Sequence, residues 1–145
     1  MAETALEDAC FYGRRGEVEQ LLAAGANVNA PSASDGFTAL MLASQNGHSG
    51  IVPLLLAAGA DANAARTDDG FTALMWASQE GHSGIVPLLL SVGANVNAAG
   101  TDDGSTALMG ASHNGHSGIV RLLLSAGANV NAARTDNGYT ALMFA

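Results

Sequence analysis

The apolar and polar positions of this chain follow one pattern that recurs every 34 residues. Thr-Ala-Leu-Met begins at Thr38, Thr72, Thr106 and Thr140, and the complete copies continue into Gly-His-Ser-Gly-Ile-Val and a leucine run. A weaker copy begins at Thr4 with the same spacing. A fixed period of this length indicates supersecondary units that stack on their neighbours. We predict one domain over residues 1–145, with units at about 1–34 (N-terminal capping), 35–68, 69–102, 103–136 and a partial 137–145.

Each full unit predicts two short helices joined by a tight turn. In the unit 69–102, Thr72 is a suitable N-cap for the first helix and Gly81 supplies a left-handed stop. Ser83 is the expected N-cap of the second helix, which carries Leu89 in its apolar run. The stretch between units is rich in Asn, Asp, Gly and Thr and predicts an exposed turn. Because helices this short are marginal in water, stacking must supply their stability.

Two prolines test this assignment of the second helix. Pro53 and Pro87 would fall at the edge of the first helical turn if Ser49 and Ser83 are the N-caps. Proline is tolerated there because the N–H groups of the first turn have no partner within the helix. Arg121 stands at the same position in the next unit, so the scaffold does not require proline.

Composition and charge narrow the class of protein. Of the 145 residues 48% are hydrophobic and 12% charged, but no apolar run approaches the roughly eighteen residues of a membrane span. No signal-peptide pattern opens the chain, and the single cysteine, Cys10, excludes an internal disulfide framework. We therefore expect a cytoplasmic protein without a membrane partner. The net charge is −8 and the five basic residues are scattered arginines, so nucleic acid is not an expected partner.

The candidate chemical groups recur as parts of the repeat. His48, His82 and His116 hold one position in successive units, about 8–10 Å apart if the units pack as helices do, which is too far to share a metal ion. We expect these side chains to tie loop backbone between helices. The repeated Ser-His pairs lack a separate base and oxyanion site, and the Asp-Asp pairs lack the ligand spacing of a calcium loop. We predict no enzymatic activity, no metal and no cofactor.

The repeated motif resembles that of the ankyrin family over nearly the whole chain. The residues that carry the resemblance are Thr-Ala-Leu-Met-x-Ala-Ser-x-x-Gly-His-Ser-Gly-Ile-Val-x-Leu-Leu-Leu-x-x-Gly-Ala-x-Val-Asn-Ala. The resemblance implies an all-α solenoid of stacked antiparallel helix pairs with short β-hairpin fingers, and a non-catalytic protein–protein interaction module. Two departures are visible. The repeat is one residue longer than the usual 33, which should lengthen the finger turn, and Met41, Met75 and Met109 replace a histidine that hydrogen-bonds the preceding threonine. We do not expect methionine to make the hydrogen bond that this histidine makes.

Positions that differ between copies are candidates for binding a partner. By resemblance, the finger tips, the residue after the Asp-Gly glycine and the end of the first helix line a concave groove. Aromatic side chains beside acids and amides, without lysine, are typical of an interface centre and indicate a basic or amphipathic protein partner. Drift on a solvated face after duplication is the alternative. The candidate residues are Phe11, Tyr12, Asp35, Phe37, Gln45, Asn46, Asp69, Phe71, Trp76, Gln79, Glu80, Asp103, Ser105, His113, Asn114 and Tyr139.

The two ends of the predicted stack differ in polarity. The first unit carries Glu17 and Gln20 where the next unit carries Ile51 and Leu54, which suits a polar cap. At the other end the apolar residues 142–144 belong to a first helix with no second helix to cover them. We expect a fragment of a longer repeat array whose C-terminal face packs against another copy. A structural, self-associating segment of a larger scaffold protein is the alternative function.

Overall fold

The computed structural model describes residues 2–144, and the side chains of residues 5–143. In this range the chain forms an all-α solenoid, as predicted, in which α1 packs on α3, α3 on α5, α5 on α7 and α7 on α9. The side chain of Phe144 and all of Ala145, which belong to the predicted open end, lie outside the described residues. The helices of this range are α1 Ala2–Tyr12, α2 Arg15–Ala23, α3 Ala39–Gln45, α4 Val52–Ala57, α5 Ala73–Glu80, α6 Val86–Ser91, α7 Ala107–His113, α8 Ser117–Ser125 and α9 Ala141–Phe144.

The first helices of the full units begin and end as predicted. The hydroxyl of Thr72 accepts a hydrogen bond from the backbone N–H of Met75 at 3.4 Å, and Thr38 and Thr106 cap α3 and α7 in the same way. Such a cap satisfies one of the amide groups that a helix start leaves without a partner. At the other end of α5, Gly81 adopts φ +82°, a left-handed conformation that favours glycine and stops the helix.

The prediction that Ser49 and Ser83 cap the second helices is wrong. Helices α4 and α6 begin three residues after these serines, and neither helix has a side-chain cap. The prolines explain the shift, because Pro53 and Pro87 have no N–H to donate to the carbonyl groups of those serines. The prolines therefore occupy the first turn of shortened helices. Helix α8, which carries Arg121 at the position of these prolines, begins at Ser117, the equivalent of Ser49 and Ser83.

The core is one continuous layer between the stacked helix pairs. Leu74, Ile85 and Leu89 are each at most 1% exposed, in agreement with the pattern of apolar positions. Burial of such a side chain contributes roughly 1.5–3 kcal/mol. Ala73 and Ala77 are also buried, and their small size allows successive first helices to pack closely.

The connections between units fold back as short fingers. In the finger at 66–71 the N–H of Arg66 donates to the carbonyl of Phe71, and the N–H of Gly70 donates to the carbonyl of Arg66, each at 2.9 Å. The same pair of bonds closes the fingers at 32–37, 100–105 and 134–139. This loop is wider than the two-residue turn of a tight hairpin. The fingers place polar and aromatic side chains along the edge of the first helices.

Candidate functional site: the concave groove

The repeated histidines join each unit to the one before it, as predicted. Each imidazole Nε2 lies at hydrogen-bonding distance from a backbone carbonyl oxygen of the preceding unit: His48 at 2.8 Å from Phe11, His82 at 2.8 Å from Gln45 and His116 at 3.0 Å from Gln79. The three rings are therefore structural. No group of three His, Cys, Asp or Glu residues that could hold a metal ion occurs among the described residues.

A second set of contacts between units was not recognised from the sequence. The side-chain amide of Asn63 donates to the carbonyl of Gly93 at 3.1 Å, and its oxygen accepts from the N–H of Asn95 at 2.7 Å. Asn29 and Asn97 make the same two contacts to the units that follow them. The signal was available, because asparagine recurs four residues after each Gly-Ala glycine.

The methionine that replaces the expected histidine does make one hydrogen bond. The sulfur of Met41 accepts from the backbone N–H of Thr38 at 3.5 Å, while the threonine hydroxyl accepts from the N–H of Met41 at 3.3 Å. The expectation that methionine cannot bond there is therefore wrong at this position. Thioether sulfur is a weak acceptor, so the contact adds to the packing role of the side chain rather than replacing it.

Three aromatic side chains form a row at the centre of the groove. Trp76 lies between Phe37 and Phe71, with ring centroids 5.4 Å and 5.2 Å away. All three are partly buried. The guanidinium carbon of Arg66 lies 4.4 Å from the ring centroid of Phe37, within the range of a cation–π contact. This aromatic row thus combines exposed apolar area with a fixed geometry.

A cavity of about 930 Å³ lies on the N-terminal side of the aromatic row. We call it the acidic cavity, because Glu7, Asp8 and Asp35 line it and none of its described lining residues is basic. It brings together four of the predicted residues, Phe11, Asp35, Phe37 and Gln45. Glu7, Asp8 and Leu42 were not among the candidates, although the comparison of units already marked the position of Leu42 as variable.

A second cavity, of about 270 Å³, lies between the third and fourth units. We call it the fourth-unit cavity. Gly110 makes room for it, because a Cβ added there would lie 3.3 Å from the Cβ of Gln79. Its lining contains no carboxylate but includes Arg134, which sequence reasoning missed together with Met75 and Met109. The predicted residues that it unites are Phe71, Gln79, Ser105, His113 and Asn114.

Comparison with protein families agrees with this geometry. A family model described as ankyrin repeats (3 copies) matches residues 6–100 and 97–145. The chain is an ankyrin-repeat protein. Ankyrin repeats are generally protein–protein interaction modules. No curated protein matches the chain in sequence. Within the described range, no helix has the length and apolar character needed to cross a membrane.

The remaining predicted residues line neither of the two cavities. Tyr12 is 62% exposed and packs edge-on against Phe11, with Arg14 over its ring. The side-chain amide of Asn46 donates back to the end of α3, and the carboxylate of Glu80 accepts from Gln79. Those not in the cavities are Tyr12, Asn46, Asp69, Trp76, Glu80, Asp103 and Tyr139.

The finger aspartates stabilise the turns of the fingers by hydrogen bonds to the backbone. The carboxylate oxygens of Asp35, Asp69 and Asp103 each accept from the backbone N–H two residues later, at 3.2, 3.0 and 2.9 Å. Two of these carboxylates also bind arginine: Asp69 binds Arg66 at 2.9 Å and Asp103 binds Arg134 at 3.1 Å. Partial burial alone would raise the pKa of Asp103. Its hydrogen bonds from Ser105 and the charge of Arg134 outweigh that effect, so the pKa lies below its ordinary value.

Proposed function

We propose that this ankyrin-repeat protein recognises a partner protein through its concave groove and has no catalytic role. The observation that carries the proposal is the aromatic row, Phe37, Trp76 and Phe71, held between two cavities on one face. Aromatic side chains in partly buried, well-packed positions contribute most of the binding energy at many interfaces. Histidine is the most frequent catalytic side chain, but the three repeated histidines, His48, His82 and His116, are engaged with backbone carbonyls.

The partner surface is expected to be basic or amphipathic. The fingers carry six aspartates but only two arginines, Arg66 and Arg134, and both arginines already bind finger aspartates. A groove with excess negative charge attracts a positive surface and repels a negative one, which favours specificity and fast association. The same excess argues against a nucleic-acid partner. The single buried thiol, Cys10, suits a reducing, intracellular compartment.

A peptide library displayed on phage and selected on the full chain tests the proposal. Alanine at Phe71 or Trp76 should weaken binding of the selected peptides by about 2 kcal/mol or more, because these rings are expected to be anchors. Val92→Ala is a matched control, since Val92 is 51% exposed and directly follows the second helix α6, outside the fingers. Peptides that bind all three variants as tightly as the wild type would contradict the groove as the binding surface.

Self-association is a second candidate function, favoured by one apolar surface. Leu142 is 81% exposed, Met143 62%, Val130 49% and Leu124 42%, and all four lie at the α8–α9 end of the stack. Apolar surface gathered at one place on a soluble protein is typical of an interface. Light scattering at increasing concentration should show dimers, and Leu142→Glu should abolish them. A strict monomer at millimolar concentration would exclude this function.

A further inference from the structure

The three equivalent finger aspartates differ in one respect. Asp69 and Asp103 each have an arginine bound to the carboxylate, whereas no arginine binds the carboxylate of Asp35 among the described residues. Ser32 stands where the second and fourth fingers carry Arg66 and Arg134, so the first finger lacks its own cation. The third finger carries Gly100 there, but its Asp103 is bound by Arg134 of the next finger. Arg66 does reach Asp35, but its Nε donates to the backbone carbonyl at 2.9 Å and not to the carboxylate.

The place where an arginine is missing opens on the acidic cavity. Asp35 lines this cavity together with Asp8, whose equivalents in the next three units are Leu42, Trp76 and Gly110. Of these four units, only the first carries an acid at this position, and Asp8 and Asp35 both line the acidic cavity. Asp8 and Asp35 are exposed, so a side chain from another molecule can reach them.

The remaining walls suit the stem of a long basic side chain. Phe11 and Leu42 contribute apolar side chains to the lining of this cavity, and Gln45 also lines it. Arginine buries its methylene groups along such surface while its planar guanidinium binds carboxylate oxygens in a fork. The described residues contain no set of three ligands suited to a metal ion, which leaves an organic cation as the complement of this charge.

We propose that the acidic cavity receives an arginine side chain of the partner protein, with its guanidinium bound to Asp35 and Asp8. The proposal rests on the protein-recognition function and adds the chemistry of one contact. It also gives the bound segment a direction: its arginine lies over the first two units. A residue without positive charge lies over the fourth-unit cavity, where Arg134 stands and no carboxylate does.

The first experiment uses small probes and the intact chain. N-acetyl-arginine amide is titrated into isotope-labelled protein while backbone amide signals are followed by NMR. Saturating shifts are expected at Phe11, Phe37 and Gln45. N-acetyl-citrulline amide, which has the same shape without the charge, should give none. Equal shifts from N-acetyl-lysine amide would overturn the requirement for a guanidinium, and shifts spread over all the fingers would overturn the site.

The variants separate charge from turn geometry. Asp35→Asn removes the charge but keeps the turn, because Asn137 at the same position accepts the N–H of Tyr139 at 2.9 Å. Asp35→Asn and Asp8→Asn should each lower arginine affinity about fivefold to tenfold, since hydrogen bonds between charged groups are strong but these are partly exposed. Asp102→Asn, an equal charge change on an exposed residue of another finger, should leave the affinity unchanged.

Peptides selected on the wild-type chain distinguish this inference from the function on which it rests. If such peptides lose affinity with Phe71→Ala but not with Asp35→Asn, Asp8→Asn or replacement of their arginine by citrulline, the groove binds protein and the arginine site is wrong. If the small probe binds as expected but no peptide is selected, the arginine site is correct and the protein-recognition function is wrong. Loss of peptide affinity both with Phe71→Ala and with the two aspartate variants supports both proposals.

Discussion

The junctions between units and the concave groove are built from the same repeat but use it in opposite ways. At the junctions identical residues recur, such as the imidazole of His82 on the carbonyl of Gln45. In the groove one position carries Asp8, Leu42, Trp76 and Gly110 in turn. This position contributes to the difference between the cavities, because Asp8 adds a carboxylate to the acidic cavity and Gly110 makes room for the fourth-unit cavity. Recurring residues hold the units together, and varying residues make the two cavities chemically different.

The largest effect is expected at a junction. Gly47 has φ +76°, and a Cβ added there would lie 2.6 Å from Cε1 of His82. Gly115 has φ +74°, but nothing among the described residues lies within 4 Å of its added Cβ. Gly115→Ala should therefore cost only the left-handed conformation, about 1–2 kcal/mol. Gly47→Ala should cost about 1–3 kcal/mol more, because the ring must move.

Urea unfolding followed by circular dichroism measures this difference in the free energy of unfolding. Comparing two glycines with the same conformation removes the backbone contribution and leaves the histidine contact. Equal losses in the two variants would mean that the imidazole shifts without cost, and the junction would then be weaker than the contacts indicate.

The second prediction compares a core leucine with the central groove tryptophan. Leu89 is fully buried, so Leu89→Ala should lower the free energy of unfolding by about 2–5 kcal/mol. Trp76→Ala should lower it by less, because Trp76 packs against the core and against Phe37 and Phe71 but is itself only partly buried. The same urea titration measures both. If the tryptophan variant unfolds as readily as the leucine variant, Trp76 belongs to the core and the groove is misplaced.

The sequence predicted the fold better than the site. Helix starts at Thr38 and Thr72 follow from local capping chemistry, which the sequence displays directly. The later start of α4 was missed because Ser49 is a good N-cap by residue type. What excludes an earlier start is that Pro53 has no N–H to donate to the carbonyl of Ser49. Asp8 was missed because it lies in the atypical first unit, where comparison between copies carries the least information.

The third prediction concerns the methionine layer. Met75 is 3% exposed, and its backbone N–H donates to the hydroxyl of Thr72. Met75→His restores the residue usual in ankyrin repeats, and a change within about 1.5 kcal/mol is expected because the two side chains are of similar size. Thermal unfolding measures it, with Met41→His as the comparison, since there a sulfur bond to Thr38 is lost. A larger loss at Met75 would mean that the thioether is tightly packed.

The smallest effect at neutral pH is expected at Cys10, which lies where Ser44 and Ser78 lie in later units. All three are fully buried, and among the described residues the hydroxyls of Ser44 and Ser78 have no hydrogen-bond partner, so Cys10→Ser should lower the free energy of unfolding by about 1 kcal/mol near pH 7. Burial, with a smaller contribution from Glu7, raises the pKa of the Cys10 thiol to about 12. The native thiol should therefore resist alkylation at pH 8 and react only as fast as the chain opens.

The raised pKa also predicts how stability depends on pH. Unfolding exposes a thiol of ordinary pKa, which ionises more readily than the buried one, so the native state loses stability as the pH rises from about 9 towards 12. The Cys10→Ser variant lacks this ionisation, so the wild type should lose its stability advantage over the variant across that range. Parallel pH profiles for the two proteins, or rapid alkylation of the native wild type at pH 8, would show that the thiol is reached by solvent and that the first junction is looser than those built on Ser44 and Ser78.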